Sequence, residues 1–332
     1  MKMITCVVLA AVMALSGFAG TEPAFKKIRG NPEYQNALAK GAMAQVSLKV
    51  VDDEGLPVRC ATVHARYDMT TYANESSYLT DERGLCCFTD KTRYCIELDM
   101  SKDGYYDSRV RIPLTGFEHA HDVKDGKWQP YPMEKTVALK KIRNPITLFR
   151  QAKTLVLHTT NQWVGVDMLV GDFIRPFGRG DVSDFQVKVQ WDGLIDLKSM
   201  LCTADVQFPG PWAGGYFAAK CSESSFPYEY VANTNAEYQP HIYVQNRKGD
   251  FYSSHKPFDK RATFVTRSRC RVDEKGRLVA ANYGCIRRLD VTPGDWGNGV
   301  NVVLDTVFNL TPNDTNLEDD ELYRKYKHLR GR

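Results

Sequence analysis

Beyond its first fifteen residues the 332-residue chain has no long uninterrupted apolar run, so nothing downstream reaches the roughly 20 residues that a membrane-spanning helix needs. Charge of one sign is scarce as well. Lys and Arg number 44 against 40 Asp and Glu, a formal net charge of +4, too little to draw nucleic acid or an anionic membrane by its field. No G-x-S-x-G elbow, H-E-x-x-H pair, P-loop or dinucleotide fingerprint occurs, which removes the reaction classes those motifs serve. Isolated Ser, His and Asp residues cannot be raised to a triad without geometry. The nine cysteines include no C-x-x-C pair, so a tetrahedral zinc site finds no familiar ligand spacing. No amphipathic helix is evident between about Ile146 and Leu310, and no internal repeat or low-complexity tract stands out along the chain.

The N-terminus carries Lys2, an apolar run from Ile4 to Leu15, then Ser16-Gly17-Phe18-Ala19. A charged start, a short apolar core and small residues before a cut predict a secretory signal peptide over 1–19, cleaved after Ala19. The mature chain is then expected to be secreted or periplasmic, with no transmembrane segment. Cys6 lies in the leader, which leaves Cys60, Cys86, Cys87, Cys95, Cys202, Cys221, Cys270 and Cys285. An even number in an exported chain predicts disulfides, although eight cysteines allow about 105 pairings. The four-and-four division along the chain predicts pairing within each domain, each bridge contributing about 2–4 kcal/mol.

The alternation of apolar and polar residues predicts an all-β protein. Residues 20–44 form an arm with a short helix, and 45–141 form a first β-sandwich. There Val46, Leu48 and Val50, then Ala61, Val63, Ala65 and Tyr67, then Tyr94, Ile96 and Leu98, follow the period of two that a half-buried strand requires. Asp53-Glu54-Gly55 and Asp81-Glu82-Arg83-Gly84 supply turns. The polar segment 117–132 is expected to be an inserted loop before a closing strand at Lys135–Leu139. Pro145 after Asn144 marks the boundary, since it disfavours helix before it and cannot donate to a sheet. A larger β-rich domain is expected over 146–312, with strands near 155–157, 185–191, 242–244, 262–272, 278–283 and 300–310. Asp273-Glu274-Lys275-Gly276 joins two of them as a hairpin. Residues 313–332 place acidic ahead of basic side chains, the order that suits a helix dipole, and predict a charged terminal helix.

Gly55-Leu56-Pro57 followed by Ala61-Thr62-Val63, Thr80-Asp81-Glu82-Arg83-Gly84 followed by Phe88, and Asp103-Gly104-Tyr105-Tyr106 resemble the carboxypeptidase regulatory-like family of transthyretin-type, immunoglobulin-like sandwiches. The resemblance covers roughly a third of the chain and implies an accessory module: a folding partner, spacer or adhesive unit. The segments VGVDMLVGDFIRPFGRGDVSDF, RVDEKGRLVAANYGCI and FNLTPNDTNLE resemble exported bacterial proteins that join such a sandwich to a further β domain. That likeness implies architecture and an envelope setting, and no activity.

Several constellations are candidate sites. His119-Ala120-His121 is an H-x-H pair of the kind some iron dioxygenases use, but it falls in a loop rich in Lys, Asp and Gly, where a solvated reading is favoured. Asp167, Asp172, Asp181 and Asp184 cluster among glycines. They either hold a structural calcium ion, the one cofactor the chain suggests, or cap turns. Arg179-Gly180-Asp181 spells an integrin-recognised tripeptide and reads as coincidence. Arg267, Arg269 and Arg271 alternate along one strand and predict a basic stripe, either facing an anionic partner or blunting an edge. The aromatics Trp191, Trp212, Tyr216, Phe217, Tyr228, Tyr230, Tyr238 and Tyr243 either close the core or stack on sugars. Trp212 and Tyr216 are therefore binding candidates beside the arginines. The sequence as a whole suggests a non-catalytic binding or structural accessory protein of the cell envelope, its partner an envelope protein or a glycan. A polysaccharide-directed hydrolase using Asp167, Asp172 and Asp184, or a carbohydrate-binding protein, is the alternative.

Overall fold

The computed structural model describes residues 28–68, 73–116, 120–191, 200–249, 252–256, 262–294 and 299–321. The expected signal peptide, most of the expected C-terminal helix and His119 lie outside these. The chain is all-β and resolves into two compact units. The first takes in the described residues through Val51, Pro57–Met100 and Arg109–Val137; the second takes in Asp52–Leu56, Ser101–Ser108 and the described residues from Ala138 onward. Among the described residues no helix is long and apolar enough to cross a membrane.

The first unit opens with helix α1 (Pro32–Lys40), whose cap Asn31 accepts the Glu33 backbone N–H. Strands β1 (Ala42–Asp52), β2 (Thr62–Asp68), β3 (Ala73–Leu79), β4 (Leu85–Thr92), β5 (Cys95–Ser101), β6 (Ser108–Pro113), β7 (Val123–Lys124), β8 (Lys127–Trp128) and β9 (Met133–Leu139) follow. They build one sheet in the order β4-β1-β8-β7, with β9 also on β1, and a second in the order β3-β2-β5-β6. The alternation is realised in burial. Val46, Leu48 and Val50 of β1, Val63, Ala65 and Tyr67 of β2, and Ile96, Leu98 and Met100 of β5 are all buried. The segment expected as an inserted loop instead contains the β7–β8 hairpin. Trp128 is fully buried there, donates its indole N–H to the Thr92 carbonyl at 3.0 Å and meets Tyr34 of α1 edge-on at 5.8 Å.

One turn device recurs three times. Asp52, Asp81 and Asp273 each accept backbone N–H groups two and four residues on, and a glycine at positive φ completes each turn. Asp52, one residue earlier than the sequence suggests, is the turn-forming aspartate of the first. Gly84 is doubly constrained, because a Cβ there would lie 2.3 Å from the Val50 carbonyl oxygen.

The second unit contains β10 (Phe149–Leu157), β11 (Val164–Asp167), β12 (Asp172–Phe173), β13 (Phe185–Trp191), β14 (Met200–Gln207), β15 (Gly214–Ala219), β16 (His241–Gly249), β17 (Tyr252–Lys256), β18 (Ala262–Val272), β19 (Leu278–Pro293) and β20 (Val300–Phe308). Five strands pair in the order β10-β20-β19-β18-β15 and six in the order β12-β11-β13-β14-β16-β17. Val187, Val189, Ala204, Val206 and Val244 from the six-stranded sheet share one core with Phe264, Ile286, Val291, Val302 and Phe308 from the five-stranded sheet. The two sheets are therefore the layers of a sandwich. A smaller core covers the other face of the five-stranded sheet, with Val265, Ala281, Tyr283, Cys285 and Val307 beneath Leu148, Ala232 and Leu317.

The expected disulfides are not formed: all eight described cysteines are free thiols. Strand geometry separates them. Cys86 and Cys87 are neighbours on β4 and so point to opposite faces, one buried and one beside the Ser47 hydroxyl at 3.7 Å. Cys95 lies near Asp68, and Cys60 is exposed in a turn. Cys202 sits in the core between the sheets of the second unit, whereas Cys285 belongs to the smaller core on the far side of the five-stranded sheet. Cys270 is partly buried on β18, and Cys221 is in a loop.

Candidate functional site

The outward face of the six-stranded sheet in the second unit carries an open, ligand-sized recess. Strand pairing aligns its outward side chains in three rungs. Gln186 lies opposite Gln207, itself opposite His241; Lys188 lies opposite Asp205 and then Tyr243; Gln190 lies opposite Thr203 and then Gln245. Phe185, Val187 and Val189, with Cys202, Ala204 and Val206, point the other way into the core. Period-two alternation thus sends every polar residue of β13 and β14 to one side.

A groove of about 410 Å³ opens over the third rung, lined by Asn161, Gln190, Trp191, Leu201, Thr203 and Tyr243. That volume falls within the roughly 300–1,000 Å³ of small-molecule sites. Tyr243 stands 51 % exposed and Leu201 37 % exposed, so aromatic and aliphatic surface faces solvent here without a protein partner. Asn161 holds the rim from a left-handed turn (φ 58°) and donates its N–H to the Val189 carbonyl at 2.9 Å. Trp191 divides its ring between the groove and the edge of the core. None of the described lining side chains is charged. One rung away Lys188 and Asp205 neutralise each other at 3.3 Å, and the Lys188 ammonium also sits 4.8 Å from the Trp163 ring centre.

The four aspartates suggested as a calcium cluster are taken up by arginines and backbone amides. Asp167 accepts the N–H groups of Leu169, Val170, Asp181 and Val182 and the Arg269 guanidinium at 2.9 Å. Burial alone would raise its pKa, but these backbone donors hold the carboxyl below the usual Asp range. Asp184 is 1 % exposed and accepts from Arg269 Nε at 2.8 Å, Arg269 Nη2 at 3.0 Å, the Ser268 hydroxyl and the Met168 N–H. Asp172 pairs with Arg179, and Asp181 with Arg175. Among the described residues no group of three or more His, Cys, Asp or Glu side chains could hold a metal ion. A catalytic acid needs a raised pKa and an open approach; Asp167 and Asp184 are buried, with their oxygens occupied by N–H and O–H donors. The arginine–glycine–aspartate tripeptide is part of the same loop, its charged ends in the two ion pairs just named. His121 in the first unit places Nδ1 2.7 Å from the Gln129 carbonyl.

The three arginines do not form a stripe. A β-bulge between Ser268 and Arg271, with Arg269 at φ 51°, breaks the alternation on which that expectation rests. Arg269 turns toward Asp167 and Asp184. Arg267 is 7 % exposed, donates to the Trp212 carbonyl at 2.6 Å and stacks 3.8 Å from the Tyr238 ring centre. Arg271 is exposed. Trp212 and Tyr216 belong to that packed group. Tyr216 donates to Glu229 at 2.7 Å and contacts Tyr238 edge-on, while the exposed Trp212 gives its indole N–H to Gly276. Tyr228 and Tyr230 are used similarly, stacking against Arg287 at 4.2 Å and against Lys140 and Arg143 at 4.3 Å each. Of the aromatics singled out in the sequence, only Trp191 and Tyr243 reach the groove. Its polar members Asn161, Gln190 and Thr203 carry no motif; the signal for Gln190 and Thr203 was the outward alternation of β13 and β14, and Asn161, in the turn before β11, had none.

No protein-family model and no curated protein matches the chain. Parts of the chain are similar to parts of solved enzymes, among them three dioxygenases. These are a 3-chlorocatechol 1,2-dioxygenase from Rhodococcus opacus 1CP (12 % identity, TM-score 0.25), a chlorocatechol 1,2-dioxygenase from Pseudomonas putida (9 %, 0.26) and the wild-type catechol 1,2-dioxygenase of Acinetobacter radioresistens (12 %, 0.24). The matches cover 31 %, 30 % and 32 % of this chain and 61 %, 61 % and 54 % of those chains. The chain thus spans about three-fifths or less of these enzymes, and the likeness is too slight to assign an activity.

Proposed function

We propose that the chain is a non-catalytic binding protein of the cell envelope, exported to the periplasm or beyond, which holds its ligand in the groove on the six-stranded sheet. The observation that carries this reading is the grouping of exposed Tyr243 and Leu201 with Gln190 and Thr203 on neighbouring paired strands and Asn161 at the rim. Such a surface is pre-organised for recognition and costs little ordering on binding. The first unit serves as the accessory sandwich that its glycine-proline and aspartate-glycine turns resemble. The leader-like N-terminus supports export. Of the carboxylates the hydrolase alternative would use, Asp167 and Asp184 are committed to Arg269 and backbone amides and Asp172 to Arg179, which favours binding over bond cleavage.

Co-sedimentation tests the proposal. Purified mature protein mixed with bacterial cell-envelope fractions should pellet with them, and Tyr243→Ala should stay in the supernatant, with no soluble reducing ends released. Equal pelleting of the two proteins, or steady release of sugar ends, contradicts it.

A further inference from the structure

Resting on the proposal that the groove binds a ligand, we infer that this ligand is an uncharged saccharide, stacked on Tyr243 and hydrogen-bonded by Gln190, Thr203 and Asn161. Three features select this chemistry. The polar lining consists of two carboxamides and a hydroxyl, groups that both donate and accept, as sugar hydroxyls do. The apolar lining, Tyr243, Trp191 and Leu201, offers flat and aliphatic surface to the C–H faces of a pyranose ring. None of the described lining residues is a cation or carboxylate, so those side chains offer an ionic ligand no counter-charge for the hydration it would lose. Lys188 and Asp205, one rung away, are already spent on each other.

An extended peptide fits this face less well. Peptides join sheets by pairing with a free edge. Here β13 lies between β11 and β14, β14 between β13 and β16, and β16 between β14 and β17, so none of the three is an edge strand of the sheet. A sugar polymer needs only the side chains that the rungs present.

Isothermal titration of the mature protein provides the test, using cellohexaose, xylohexaose and mannohexaose as neutral probes, hexagalacturonate as an anionic probe and an alanine-rich hexapeptide. At least one neutral hexasaccharide should bind. Tyr243→Ala and Gln190→Ala, both at exposed positions that leave the core intact, should each weaken it about tenfold or more. Thermal denaturation of both variants confirms folding. Binding of only the hexagalacturonate or the peptide, lost in Tyr243→Ala, overturns the uncharged-saccharide assignment and leaves the groove as the binding site. Binding of any probe that is unchanged in both variants overturns the groove itself. No binding by any neutral probe overturns the saccharide assignment.

Discussion

Asp184→Asn is the substitution whose cost can be worked most fully from the structure. The carboxylate is 1 % exposed and accepts from the Arg269 guanidinium, the Ser268 hydroxyl and the Met168 N–H. Amidation removes its charge and turns one acceptor into a donor that faces other donors. Arg269 then keeps only Asp167 as an ionic partner while remaining largely buried. Breaking a buried ion pair from one side costs about 3–5 kcal/mol. In a unit of this size each kcal/mol moves the midpoint by about 2–4 °C, so a fall of roughly 6–20 °C is expected. Asp181→Asn is the internal control. Its pair with Arg175 is exposed on both sides (side chains 73 % and 67 % accessible), and its removal should change stability by no more than about 0.5 kcal/mol. Differential scanning calorimetry of the three proteins at neutral pH reads both effects. If Asp184→Asn melts within about 2 °C of wild type, or if the two substitutions cost the same, the buried Asp184–Arg269 pair does not carry the stability its burial implies.

The lowered pKa of Asp167 gives a pH dependence of defined sign. Its stabilisation is fully present above the unfolded value near 4 and is lost as pH falls through the lower folded value. The stability gap between wild type and Asp167→Asn, measured by urea denaturation, should therefore be constant from pH 7 to about 5 and shrink below about 4; a gap that widens on acidification reverses the sign and refutes the assignment. Gly84→Ala should destabilise by about 2–5 kcal/mol, adding a clash with the Val50 carbonyl to a left-handed φ. Gly55→Ala, with open space around its Cβ, should lose only about 1–2 kcal/mol. Equal losses in chemical denaturation contradict the close approach at Gly84. Alkylation of the mature chain in denaturant without reductant should add eight adducts by intact mass. In the native protein exposed Cys60 and Cys87 should react first, and Cys285, its pKa pushed up to about 12 by burial, should resist. Fewer than eight adducts in denaturant means that bridges form.

The parts of the fold legible in the sequence are those where local rules act alone. The alternation of Val46, Leu48 and Val50, and of Phe185, Val187 and Val189, specifies buried faces directly. The aspartate-to-glycine turns at 81–84 and 273–276 carry their own hydrogen bonds. Strand β14 escaped notice because its inward residues, Cys202 and Ala204, are small and its outward Leu201 blurs the contrast. The hairpin around Trp128 was hidden for another reason: its strands are two residues each and gain their place from one buried indole. The arginine stripe failed at a bulge, since one left-handed residue at 269 changes which face every later side chain occupies. The groove was half legible. Trp191 and Tyr243 stood out as aromatics, but Asn161, Gln190 and Thr203 acquire meaning only once three strands separated in sequence lie side by side.

A crystal structure of the mature protein soaked with the best-binding neutral hexasaccharide tests the central claim most directly. A sugar ring is expected against Tyr243 on the outward face of β13, β14 and β16, with hydroxyls on Gln190 and Thr203. A saccharide seated instead beside Trp212 and Arg267 on the five-stranded sheet, with the groove empty, contradicts it.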